Sequence, residues 1–241
     1  MIYVTGDQHG NYSSLLKFSK SSEGQLLTKN DYVIVLGDFG LFPETIPKIK
    51  RLDRQLNYTL LFLEGNHEDY KLLDSFPQKT MFNGIVHDVF GIYHLCRSNV
   101  FNIPVAKRNI SIAVCGGGDS RDKSRRVEGV DWFPEETITK IDVEKMIEKA
   151  KSSIVIDYFM SHSLSATVKT EWYYECQTCS LNKKTMTSFE ITESDYKIRD
   201  IIGKLQSTIK IYFSAHEHID REFILDHKRY RSVFKDFIKI E

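Results

Sequence analysis

The chain lacks a disulfide framework, a long apolar run and a net charge, and each absence removes a class of protein. Its four cysteines, at 96, 115, 176 and 179, follow no spacing of a cross-linked scaffold. The one close pair, Cys176-Gln177-Thr178-Cys179, has no two further ligands nearby to hold structural zinc. It lies in the polar, aromatic segment 170–188, not at a helix start after a strand, so it reads as a loop feature with two free thiols. No run reaches signal-peptide or membrane-spanning length, and the first strand-like run begins at Ile2, so a cytoplasmic protein with no membrane partner is expected. Lys plus Arg and Asp plus Glu balance at 33 each, which leaves no global field to draw nucleic acid or anionic lipid. Repeats and low-complexity tracts are missing as well. What is present, 241 residues with 41% hydrophobic and 12% aromatic content, suffices for one substantial core. Residues 1–241 are expected to form a single domain, with 165–192 as a candidate inserted loop that shapes a pocket mouth.

Against this background, five short polar motifs stand out. Runs rich in Ile, Val, Leu, Tyr and Phe at 2–4, 32–36, 59–63, 154–160 and 209–213 read as buried strands. Each ends one to three residues before a motif: Asp7-Gln8-His9, Gly37-Asp38, Gly65-Asn66-His67-Glu68, His162, and His216-Glu217-His218. Ligands of open α/β sheets gather beyond the carboxyl ends of strands, so five such motifs can meet in space.

The residue types then narrow the chemistry. Asp, His and Asn offer oxygen and nitrogen donors suited to Mn, Fe, Zn or Co, and Cys is absent from every motif. Asp7 and His9, like His216 and His218, are two apart on strands continuing into loops, a spacing at which both side chains face one side. Asp38 is the natural bridging carboxylate between two cations about 3.5–4 Å apart. Singly, each motif has an ordinary explanation: Gly-Asp pairs make turns, a lone His packs or is solvated, and Asn-His after Gly caps a helix. It is their number, order and placement at strand ends that favour a two-metal hydrolytic site.

Together the motifs resemble the calcineurin-like metallophosphoesterases, in particular small bacterial and phage-type members, over residues 7–218. The family pattern is Asp-x-His, Gly-Asp, Gly-Asn-His-Asp/Glu, His and Gly-His-x-His; Ala215 stands where the last motif usually has Gly. The resemblance implies an α/β fold of two mixed β-sheets packed as a sandwich flanked by helices, with a dinuclear metal site at the strand C-terminal ends. It implies that Asp7, His9, Asp38 and His218 hold one divalent ion, that Asp38, Asn66, His162 and His216 hold the other, and that His67 is the general acid. A water shared by the two cations would be acidified toward neutrality and attack a phosphate ester in line, while His67 protonates the departing alkoxide.

Two departures concern the substrate. In the family's Ser/Thr protein phosphatases and related bis-nucleoside tetraphosphatases the pattern is Gly-Asp-x-x-Asp-Arg-Gly with an Arg before the third motif, arginines that would clamp a phosphate monoester, whereas this chain has Leu41-Phe42-Pro43 and Glu64. Neither Phe42 nor Glu64 imitates an arginine clamp on phosphate, so a phosphodiester is favoured over a monoester; the alternatives are a nuclease, with DNA or RNA admitted only as a substrate, then a phosphoprotein phosphatase or a non-catalytic scaffold. Leu41 also removes the carboxylate that orients the acid histidine in those branches, leaving Glu68, Asp69 or a backbone carbonyl as substitutes. Further cations follow the strand-like run 110–115. Gly116-Gly117-Gly118 leads to Lys123, Arg125 and Arg126, which with Asn66 are candidate substrate-binding groups, and glycine N–H groups could cradle phosphate. Trp132 and Phe133 are candidates for a lid, a core contact or stacking on a leaving group.

Helical spacing appears at Val143, Met146, Ile147 and Ala150 behind Asp142 as N-cap, at Ile198, Ile201, Ile202 and Leu205, and over 68–76. Runs 221–225, 229–234 and 237–240 predict terminal strands. His87, His94 and His227 fall outside the motifs and are expected to be structural or exposed.

Overall fold

The structure, a computed structural model, describes residues 1–106, 108–153, 155–178, 190–205 and 208–241. Cys179 and residues 179–189 of the anticipated insertion therefore lie outside the described residues, as does Ile154. The strands are β1 (Ile2–Thr5), β2 (Tyr32–Val35), β3 (Thr59–Phe62), β4 (Gln78–Met81), β5 (Gly84–Val89), β6 (Ile92–Leu95), β7 (Asn99–Val105), β8 (Arg108–Cys115), β9 (Tyr158–Ser161), β10 (Ile211–Ser214), β11 (Arg221–Leu225), β12 (Lys228–Ser232) and β13 (Ile238–Lys239). The helices are α1 (Ser13–Lys20), α2 (Ile46–Gln55), α3 (Tyr70–Asp74), α4 (Lys140–Lys151), α5 (Ala166–Thr178) and α6 (Glu193–Lys204).

Two mixed sheets form, ordered β13-β1-β2-β3-β6-β5-β4 and β11-β12-β10-β9-β8-β7. In the first, β1, β2, β3 and β6 run parallel; in the second, β8, β9, β10 and β12 do, and the edges of both sheets are antiparallel. The central strands are buried on both faces, which explains why their sequences read as unbroken apolar runs. Ile2, Val4, Ile34 and Leu61 of one sheet meet Ile112, Val114, Met160 and Phe213 of the other in a shared core. On the outer faces, Val33, Val35, Leu60 and Phe62 pack with Leu15, Ile49 and Leu52 of the helices. Ala113 and Phe159 pack with Met146, Trp172 and Ile198. The fold is thus the expected two-sheet sandwich flanked by helices.

Three local expectations are corrected. Asp142 does not cap α4: Thr139 is the N-cap, its hydroxyl accepting from the Asp142 N–H at 3.2 Å while the Asp142 carboxylate accepts from the Thr139 N–H at 2.9 Å. The helix expected over 68–76 is only α3, capped by Asp69, because Glu68 turns inward. Cys176, read as a loop residue, lies on α5, where it is buried beside Val168 and Trp172.

Candidate metal centre

The parallel strands β1, β2, β3, β9 and β10 all end at one edge of the sandwich, and their following loops carry the five motifs. Both Asp-x-His and His-x-His lie beyond the strands, which stop at Thr5 and Ser214. Strand alternation therefore does not aim these pairs. Left-handed backbone does, at His9 (φ 49°), Asp38 (φ 48°), His216 (φ 65°) and His218 (φ 52°). Four non-glycine residues held there mark a constrained site. Gly37 has φ 93°, and a Cβ on it would come within 2.3 Å of His162 Nδ1, so only glycine admits the imidazole.

Two donor clusters result. One atom each from Asp7, His9, Asp38 and His218 lie within 4.8 Å of one another, and so do one each from Asp38, His162 and His216. Asp38 belongs to both. His9 Nε2 is 3.1 Å from His218 Nε2 and 3.7 Å from Asp38 Oδ2. His162 Nε2 is 3.2 Å from Asp38 Oδ1, 3.2 Å from His216 Nδ1 and 3.1 Å from Asn66 Oδ1. Thus all seven expected ligand residues are brought together.

A proton on His162 Nε2, shared with Asp38 Oδ1, accounts for only part of this convergence. With His162 Nδ1 donating to the Leu36 carbonyl at 2.8 Å, its neutral form turns a lone pair from Nε2 toward two oxygens and a nitrogen. Among the described residues, neither buried Asp7 carboxylate oxygen has a hydrogen-bond partner of ordinary geometry, which is costly unless a cation faces them. Burial pushes Asp7 up to about 7. Burial also disfavours charge on His162, yet Asp38 above all draws it up to about 10, whereas burial and His162 push His216 down to about 3. The donors share a deficit of positive charge that divalent cations fit.

Supporting groups, some of which the sequence did not announce, hold this frame. Asn66 Nδ2 donates to Ser120 Oγ at 3.1 Å, and Ser120 Oγ donates to Glu136 at 2.8 Å, which fixes the amide with its oxygen toward His162. Glu136 also accepts from Trp132 Nε1 at 3.0 Å, and Phe133 is buried in the core. Glu68 accepts from the N–H groups of Phe39, Gly40 and Leu41 at 2.6, 3.1 and 2.7 Å, tying down the loop after Asp38. Burial pushes its carboxyl up, against the pull of the Leu41 and Phe39 N–H groups. Between the last two histidines, Glu217 binds Arg121 and, at 2.9 Å, the fully buried Lys169, which also holds Asp195 at 2.6 Å. Against the cost of burial, Lys169 keeps Glu217 at about 2. Of these groups, Glu68 and Glu217 lie inside motifs and Trp132 and Phe133 are candidates in their own right, whereas Lys169 and Asp195 carry no local signal.

The substrate side departs further from expectation. Neither Glu68 nor Asp69 orients His67; Glu68 serves the loop and Asp69 caps α3. His67 faces Arg126 instead, whose terminal nitrogens lie 3.3 Å from Nδ1 and 3.1 Å from Nε2. Burial, with Arg126 adding to it, pushes His67 down to about 4. Arg125, Arg126, His67 and Phe42 line one cavity of about 540 Å³, while Lys123 lines another with Asp119 and Glu193. The glycine turn offers less to a phosphate than its composition suggests. Gly117 N–H is spent on the Glu64 carbonyl at 2.7 Å and Gly118 N–H on that of Glu136 at 2.9 Å.

A sandwich of two mixed sheets, with nitrogen and oxygen donors clustered around a shared carboxylate at the ends of its parallel strands, defines a metal-dependent phosphoesterase class. Residues 1–220 match the family model described as calcineurin-like phosphoesterase, and the chain belongs to that family. Among solved structures it is similar to a protein from Staphylococcus aureus provisionally named a 5'-nucleotidase, in complex with alpha-ketoglutarate. That likeness has a TM-score of 0.54 at 11% identity over 97% of this chain. This chain spans 48% of that one, about half its length. Phosphopantetheinyl hydrolase from Mycobacterium tuberculosis is similar at TM-score 0.47 and 14% identity, over 97% of this chain and 89% of that one. No curated protein sequence matches significantly. No helix among the described residues is long and apolar enough to cross a membrane.

Proposed function

We propose that residues 1–241 act as one domain that hydrolyses a phosphate ester, a phosphodiester in preference to a monoester, with two divalent cations held by Asp7, His9, Asp38 and His218 and by Asp38, Asn66, His162 and His216. The observation that carries this reading is the sharing of Asp38 between two donor clusters. When bound, two such cations supply a nucleophilic water at neutral pH and take up charge on the phosphoryl oxygens. Oxygen and imidazole donors without thiolate suit Mn²⁺ as the first ion to try.

The chain's own groups do the rest. His67, outside both clusters and on the cavity wall, is the group that protonates the leaving alkoxide, a transfer worth about 10²–10⁴-fold; held down to about 4 by burial and Arg126, it takes up that proton only once an anionic phosphoryl group engages Arg126 and faces the imidazole. Arg126 beside it presents two N–H donors to a phosphoryl oxygen, and its Nε is braced by Asp122 at 2.8 Å. Arg125 and Arg126 share their cavity with three carboxylates, Glu44, Asp122 and Asp131. Two cations against three anions suit a singly charged diester better than a dianionic monoester. Phe42 in the same cavity is an apolar surface for the second ester group.

The test is hydrolysis of paired chromogenic mono- and diesters by metal-stripped protein with Mn²⁺ restored. Metal-dependent turnover with diester preference supports the reading. Metal-dependent turnover of the monoester alone rejects the preference, and equal turnover with and without metal rejects the mechanism.

A further inference from the structure

Away from the strand-end site, the β5–β6 hairpin gathers a second set of donors. Antiparallel register sets His87 directly opposite His94. Cys96, two residues after His94, falls on the same face. The imidazoles are parallel within 5°, and their Nδ1 atoms are 3.0 Å apart. Cys96 Sγ lies 3.6 Å from His87 Nδ1 and 3.9 Å from His94 Nδ1. In a tetrahedral zinc site, bond lengths of about 2.0–2.1 Å to nitrogen and about 2.3 Å to sulfur put neighbouring donor atoms roughly 3.3–3.6 Å apart. The hairpin supplies that triangle to within a few tenths of an ångström.

The surroundings match as well. His94 Nε2–H donates to Glu64 Oε2 at 2.7 Å, and Glu64 Oε1 in turn accepts from Arg97 Nε at 2.8 Å. A carboxylate on the far nitrogen turns the Nδ1 lone pair of His94 toward the other two donors, the usual arrangement behind a metal-ligating imidazole. The far nitrogen of His87 meets the Gln78 side-chain amide at 3.0 Å. As placed, Gln78 Nε2 donates to His87 Nε2, which leaves the His87 proton on Nδ1 toward His94; turning the amide over presents its oxygen to Nε2–H, the tautomer that frees His87 Nδ1. A cavity of about 280 Å³ adjoins the three donors, with Asp74 on its wall. It leaves room for a fourth ligand, water or that carboxylate.

We propose that His87, His94 and Cys96 form a binding site for one thiophilic divalent cation of the zinc class, separate from the Asp38 clusters. Binding shifts the His87 proton from Nδ1 to Nε2 and releases the Cys96 thiol proton to solvent, so a cation of charge two meets one thiolate and two neutral imidazoles. The cation ties the β5–β6 hairpin through His94 to Glu64, the residue that opens the Gly65-Asn66-His67 turn. Its role is to hold that wall of the molecule.

Cobalt distinguishes this site from the other because the Asp38 clusters contain no cysteine. Full-length, metal-stripped protein titrated with Co²⁺ is expected to develop a thiolate-to-cobalt charge-transfer band that saturates at one equivalent of bound thiolate site. The band is expected to persist in Asp38→Asn and in the double variant Cys176→Ser, Cys179→Ser, and to vanish in Cys96→Ser. Zn²⁺ is expected to raise the melting temperature of Asp38→Asn and not that of the Asp38→Asn, Cys96→Ser double variant, while circular dichroism shows both folded. No charge-transfer band in the unmutated protein, or a band that survives Cys96→Ser, overturns the proposal.

Discussion

Arg126 stands over His67 with both terminal guanidinium nitrogens facing the imidazole, 3.3 Å from Nδ1 and 3.1 Å from Nε2. An unprotonated imidazole beside a guanidinium leaves N–H donors without a full anionic partner, the condition that an incoming phosphoryl oxygen satisfies. The pair places charge next to the proposed general acid from a segment some 60 positions along the chain.

Arg126→Met is therefore expected to weaken the substrate complex. Charge-assisted hydrogen bonds are worth about 1.5–3 kcal/mol, so kcat/KM should fall roughly 10- to 150-fold, most of it in KM. Arg126→Lys should recover only part, because a point charge replaces a fork. Steady-state kinetics on the Mn²⁺ enzyme checks this; unchanged KM in Arg126→Met removes Arg126 from the substrate site.

Lys169 is buried with Asp195 at 2.6 Å and Glu217 at 2.9 Å, the latter flanked by His216 and His218. Removing one partner of a buried ion pair costs about 3–5 kcal/mol, since the carboxylates then lose their cation. Urea unfolding of metal-free Lys169→Met should show that loss. A companion measurement, Mn²⁺ affinity, should fall about 10- to 100-fold if Glu217 sets the histidines through this contact. A variant as stable as the parent would show that water replaces the ammonium.

Acid stability should carry the signature of Glu64. Burial opposes its charge, but Arg97 above all, with His94, holds its carboxyl at about 2 instead of the ordinary 4.5. A depressed folded-state value stabilises above the unfolded value and is lost as pH falls, so this contribution is complete above about pH 4.5 and disappears toward pH 2. Integrated, it amounts to roughly 3 kcal/mol. Denaturant unfolding of metal-free protein at stepped pH should lose stability over that window, and Glu64→Gln should flatten the loss. An equally steep acid limb in Glu64→Gln would assign it to other carboxylates.

How much of this could be read from the chain depends on whether a feature is local. Apolar runs followed by Asp-x-His or Gly-Asp are contiguous, and parallel strands carry such motifs to one edge whatever lies between. The meeting of Asp7, His9, Asp38, Asn66, His162, His216 and His218 followed from that rule, whereas the two-sheet sandwich was implied by the family resemblance. Their aim did not, since left-handed turns at His9, His216 and His218 depend on loop packing. Glu64 was read as a missing arginine, whereas its partners Arg97 and His94 are 33 and 30 residues away and obey no spacing. Lys169 lay in a segment whose polar composition hid a helix, and its carboxylates are reached only through the tertiary fold. The His87–His94 pair needs the hairpin register before its geometry exists.

The shared carboxylate is the centre of the account, and electron paramagnetic resonance tests it most directly. Metal-stripped Cys96→Ser protein, loaded with two equivalents of Mn²⁺, should give an exchange-coupled spectrum from ions about 3.5–4 Å apart, and Asp38→Asn in the same background should lose the coupling. A spectrum of isolated Mn²⁺ at two bound equivalents, unchanged by Asp38→Asn, would contradict it.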